Sequence, residues 1–223
     1  MKDNLITLIW AALLLAVIAI LALPQSRGVF IDLTKGYPYL MGLMKVGLLG
    51  TMGELLSGKI VIGKWKLSGI RIGEKFLVWA FLGVYFTAIF PMFSYGVEGL
   101  QKAGLLPGAY SVLLTSFWKS FLLNMVFGFP MMCFHRLTDT AIEKGGLFRR
   151  WNIPQTFLAI DWDNMFKVVG GAIFWFWIPA QVVTFLLPPE FRVMSAALLA
   201  IALGLILGIA KKLSLQRLSN IPA

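Results

Sequence analysis

The chain has 223 residues, of which 59% are hydrophobic and 13% charged, with a mean hydropathy of +0.82. Soluble domains carry about a quarter charged residues, so this composition excludes a soluble globule. The formal charge of +10 then points to an anionic membrane surface rather than to nucleic acid.

A helix needs about 20 mostly apolar residues to cross the hydrocarbon core. Leu5 to Leu23 meets this with no charged residue. It is longer than the apolar core of a secretory signal, and Leu23-Pro24-Gln25 lacks the small residues of a cleavage site, so it is expected to stay as an anchor helix. Five further spans are predicted: Tyr37 to Leu56, Phe76 to Val97, Val112 to Phe134, Val168 to Leu187 and Val193 to Ala210. The fold class is therefore all-α, a polytopic integral membrane bundle of about six helices. Residues 1–34 form an anchor helix and outer loop, 35–213 the helical membrane domain, and 214–223 a short inner tail. Between Leu137 and Phe166 lies the long connection between spans, rich in Trp, Phe and Arg, which is expected along the inner interface.

Cytoplasmic connections hold the excess of Lys and Arg. With the N-terminus inside, fourteen of the twenty fall in inside segments and four (Arg27, Lys35, Lys102 and Arg192) in outside ones. Lys45 and Lys119 remain within spans. Removing any middle crossing mixes rich and poor connections, so both termini are expected inside.

Ionisable and polar groups at membrane depth are costly and point to function. Lys45 and Lys119 lie in the outer halves of the second and fourth spans. Gln181 and Thr184 lie in the outer part of the fifth, and Ser94 near the outer end of the third. Together they suggest a basic, water-filled vestibule that favours anionic or polar solutes. The other reading of the lysines is snorkelling to the outer headgroups. Asn124, close to mid-membrane, needs a partner, and a helix-to-helix hydrogen bond is the commoner use of such a residue. Glu54, near the inner end of its span, either balances a lysine in a lumen or reaches inner-surface water. Gly42, Gly47, Gly50 and Gly53 leave one face of the second span nearly bare, which suits close helix contact and permits a homo-oligomer. Pro91, Pro130 and Pro179 are expected to kink three spans. His135, Asp139 and Glu143 recur every fourth residue, a weak ligand-like stripe that ordinary charge pairing explains equally well. With one histidine and one cysteine, Cys133, and no phosphate loop or nucleophile elbow, no metal, cofactor or catalytic residue is assigned.

Two segments carry a resemblance. The run from Lys119 through Asn124 to Pro130, then Trp177, Pro179, Gln181, Thr184-Phe185, Pro188 and Arg192, resembles the pattern of the Mpv/peroxisomal membrane protein family. Tyr37-Pro38 followed by Gly53-Glu54 resembles an earlier family element. The likeness spans roughly residues 36–213 and departs at Asn124-Met125, where the family has Asp-Gln, and at Thr184, where it has Asn. It implies a small, poorly selective membrane channel for metabolites in a mitochondrial inner or peroxisomal membrane. A bacterial cytoplasmic membrane suits the sequence equally, since no Arg-rich presequence precedes the first helix.

The expected function is a passive pore for small polar or anionic solutes, lined by Lys45, Glu54, Ser94, Lys119, Asn124, Gln181 and Thr184, without covalent chemistry. A non-conducting scaffold or lipid-interacting protein is the first alternative. A membrane enzyme using His135, Asp139 and Glu143 is the second.

Overall fold

The computed structural model describes residues 2–219. Among them there are helices and turns but no strands, and six helices are long and apolar enough to cross a membrane. Helix α1 (Lys2–Ala22) is followed by α2 (Pro24–Gly36) and α3 (Pro38–Ile62). Prolines fit at both starts because a first-turn residue has no helical acceptor for its N–H. Helix α3 stops at Gly63, whose φ of 84° is the left-handed conformation that glycine adopts freely. After a turn around the buried Trp65 comes α4 (Ile72–Lys102), with Pro91 inside it. Helix α5 (Val112–Glu143) begins at Ser111, whose Oγ accepts from the Leu114 N–H. A short α6 (Ile153–Leu158) leads to α7 (Trp162–Leu186) and α8 (Pro189–Ser219).

The predicted spans all form helices, with different ends. Residues 24–36, expected as part of an outer loop, form α2, which tucks Phe30 against Val17, Val46 and Met194. The expected connection from Leu137 is helical as far as Glu143, and it rejoins a span at Trp162. Residues 214–219 of the expected tail continue α8, while residues 220–223 lie outside the described residues.

Helix α3 is the centre of the bundle and packs most extensively on α4 and α8. Glycine makes this possible. A Cβ on Gly42 would stand 2.6 Å from the Gly83 carbonyl oxygen of α4, and one on Gly204 of α8 would stand 2.6 Å from the Gly53 oxygen. Backbone therefore meets backbone on both sides of α3, where dispersion and close packing replace a hydrophobic drive that lipid cannot provide. Helix α1 is the most peripheral span. It is pinned by Trp10 Nε1 donating to the Met52 carbonyl (3.1 Å) and by Asp3 accepting from the Trp65 N–H (2.7 Å). The outer surface carries exposed apolar side chains such as Leu8, Phe174 and Val183, as expected of a lipid-facing bundle.

Helices α5 and α7 are not regular throughout. Residues 124–128 of α5, and 165–170 and 173–177 of α7, are π-helical. Pro130 and Pro179 stand two residues beyond two of these turns, whereas Pro91 lies within the continuous α4.

Candidate functional site

The polar residues of the spans fall on three levels along the bundle, with contributions from α3, α4, α5, α7 and α8. At the bundle end opposite the start of α1, an open cleft of about 580 Å³ is bordered by Glu98, Gln101, Lys102, Thr115, Lys119 and Arg192. Lys119 donates to Glu98 Oε1 at 2.6 Å, and Thr115 Oγ1 to Gln101 Oε1 at 3.0 Å. Arg192 is the keystone of this level. Its guanidinium donates to the Leu187 and Phe185 carbonyls at 3.0 and 3.3 Å and to Ser94 Oγ at 3.1 Å. Two of these acceptors are carbonyls at the C-terminal end of α7, where a helix leaves acceptors unsatisfied and a cation is favoured.

Lys45 does not share this cleft. It borders a neighbouring one of about 220 Å³ with Thr34, Lys35, Glu190 and Arg192. Its ammonium donates to Thr34 Oγ1 at 2.7 Å and sits 4.2 Å from the centre of the Phe30 ring. The two lysines expected in a common vestibule thus lie in adjoining clefts, with Arg192 bordering both. Ser94 is buried under Arg192. Thr184 is fully buried, bonded to the Ala180 oxygen (3.2 Å) and to Ser195 Oγ (2.9 Å), and joins α7 to α8.

Below the cleft, Phe90, Leu123, Phe185 and Ala196 form a buried apolar layer, with the Phe90 and Phe185 rings 5.3 Å apart. Phe185 borders the cleft above, while Phe90 and Leu123 border a chamber of about 160 Å³ beneath it. Asn124 and Gln181 bring amides to this chamber, Phe127 and Trp177 bring rings, and Glu54 lies at its lower margin. Asn124 donates to the Ser120 carbonyl of its own helix at 2.9 Å, so its described bond lies within α5 rather than between helices. Ser120 Oγ makes the cross-helix bond instead, to the Ile178 carbonyl at 2.7 Å.

At the end where α1 begins, Lys75 of α4 joins Glu54 of α3 to Asp139 of α5. It pairs directly with Glu54 and lies 2.9 Å from Asp139 Oδ1. Trp79 Nε1 donates to the other Glu54 oxygen at 3.1 Å, and the Trp79 ring lies 4.3 Å from the His135 ring. Of the stripe seen in the sequence, His135 and Asp139 belong here, whereas Glu143 faces Arg136 at 3.9 Å. Glu54 takes the third position, and one ligand atom each from Glu54, His135 and Asp139 lie within 4.8 Å of one another. The geometry alone would suit a metal, but Lys75 already supplies the cation to both carboxylates. The buried His135 Nε2 is left without a hydrogen-bond partner beside this salt-bridged network.

Sequence reasoning placed Lys75 in a loop and left Glu98 aside. Each lies 21 residues from its partner, one helix on, and sequence depth alone held the only clue. No protein-family model, no curated protein and no solved structure matches the chain.

Proposed function

We propose that the protein is a small passive channel for polar or anionic solutes, held closed in this conformation by the contact between Phe90 and Phe185. The observation that carries the reading is the succession of levels along the bundle, each with residues of α4 and α5: a cleft with three cations, an apolar layer, a chamber with two amides, and a charged cluster. The cleft concentrates and orients the solute, since cationic walls of low dielectric focus field on an anion. An apolar constriction closes a path by excluding water, and two rings moving apart reopen it. Arg27, Lys35, Lys102 and Arg192 are the basic residues outside, so the end where α1 begins faces the cytoplasm and the 580 Å³ cleft faces away from it. The likeness of the segments from Lys119 to Pro130 and from Trp177 to Arg192 to the Mpv/peroxisomal membrane protein pattern supports the same activity.

Conductance and solute efflux of the purified chain in liposomes test the proposal. The expected result is reproducible flux with an anion preference that falls in Lys119→Glu and a larger flux in Phe185→Ala. Silence of correctly folded protein under varied voltage, pH and redox conditions overturns it. Flux indifferent to Lys119→Glu removes the cleft from the path.

A non-conducting scaffold is the second reading. The pairing of Lys119 with Glu98 and of Lys75 with Glu54 favours it, because each buried charge already has a partner. Cysteine in place of Asn124, in a Cys133→Ser background, discriminates: a dry interior protects it from aqueous thiol reagents, and a wetted one does not.

A further inference from the structure

We infer that the central chamber is a binding site for a small, neutral aromatic molecule bearing one N–H or O–H donor. The inference stands apart from the conduction reading, because its evidence is the chamber's shape and chemistry and its test reads binding.

The chamber exists because two helices depart from regular winding at the same height. The π-helical turns 124–128 of α5 and 173–177 of α7 contact each other. Phe127 and Gly128 from one, and Ile173 and Trp177 from the other, border the space. A π-turn inserts a residue and pushes the backbone outward, and such turns gather at functional sites. On the far side α8 brings the small residues Ala196, Ala197, Ala200 and Gly204, flanked by Leu203 and Leu207, so much of its contribution is backbone and methyl groups that leave the space open. About 160 Å³ is the size of an engineered cavity known to take up benzene. The aromatic walls favour offset or edge-on contacts with a flat ring.

Gln181 sets the polarity of the guest. It borders the chamber at 5% exposure, and its Oε1 is fully enclosed and accepts no hydrogen bond from the protein. A buried acceptor left unmatched is costly, and a donor delivered inside an apolar ring would relieve that cost. Asn124 reinforces the bias. Its Nδ2 is committed to the Ser120 carbonyl, while its Oδ1 lies beside Gly128, 3.3 Å from where a Cβ would stand there. Both amides therefore carry an oxygen without a described protein donor beside this chamber, with Gln181 Oε1 just beneath its surface, where a turn of the amide exposes it. An acyl chain from the bilayer matches the walls but not the oxygens.

The test uses the full chain in nanodiscs with two probes of similar shape, 4-fluorophenol and fluorobenzene, followed by fluorine NMR after subtracting uptake by protein-free nanodiscs. Saturable binding of one 4-fluorophenol per chain is expected, about three- to ten-fold tighter than fluorobenzene, the range one neutral hydrogen bond supports. Gln181→Met, close in shape but without the acceptor, should abolish the preference while retaining apolar binding. Ala200→Leu should fill the chamber and remove both. Equal affinity for the two probes, a preference unchanged in Gln181→Met, or no saturable binding to folded protein each overturns the assignment.

Discussion

Lys119 Nζ lies 2.6 Å from Glu98 Oε1, an ion pair in which the lysine side chain is 7% exposed and the carboxylate 43%. The buried partner is thus the cation, and the partly open anion screens it from the cleft. Lys102 and Arg192 border the same cleft, so its charge remains positive overall. Converting Glu98 to Gln leaves the shape nearly unchanged and frees the ammonium field. Reversal potentials across bilayers of unequal salt should then show an anion-to-cation permeability ratio raised about two- to ten-fold at low ionic strength, and less at high salt. A ratio that falls would mean that Glu98 itself coordinates the permeant species.

The network at the other end differs in kind, because here one lysine serves two acids. Lys75 is 11% exposed, and its partners Glu54 and Asp139 are 24% and 13% exposed, on three different helices. Removing the cation strands two carboxylates beside each other. Lys75→Met should therefore destabilise the fold by about 3–5 kcal/mol, the range for removing one partner of a buried pair. Adding Glu54→Gln and Asp139→Asn to that variant should restore most of the loss, since neutral amides can pair where like charges repel. Denaturant titration of the single and triple variants reads the difference. If the triple variant is no more stable than Lys75→Met, the lysine acts through packing instead.

The six spans were legible because each is a long apolar run, a signal that tertiary context does not overrule in lipid. Their ends were not. Residues 135–143 look polar enough to leave the membrane, yet Thr138 and Thr140 bond back to the Phe134 and Arg136 carbonyls and the helix continues. The seven polar candidates were visible as outliers in apolar stretches, but their partners were not. Ser94 meets Arg192 across 98 residues, and no spacing rule joins them. The π-turns that open the chamber have no signature in composition, since they change winding and not residue type. The Gly face of the second span was the most informative local feature, because a bare face admits close neighbours: backbone at Gly42 and Gly53, and the Phe76 and Trp79 rings at Gly47 and Gly50.

That face also gives the sharpest stability prediction. Gly53 and Gly204 bring α3 and α8 together, and a Cβ on Gly53 would stand 3.0 Å from the Ala200 oxygen, while one on Gly204 would stand 2.6 Å from the Gly53 oxygen. Both obstacles are backbone atoms, which cannot swing aside as a side-chain tip does. Gly204→Ala must push the helices apart, at a cost of about 1–3 kcal/mol from overpacking. Gly96, in α4, has open space around it, so Gly96→Ala should be neutral or stabilising by up to about 1 kcal/mol through helix propensity. Thermal unfolding in detergent compares the pair directly. Equal tolerance of both changes would show that α3 and α8 part readily, and the chamber walls with them.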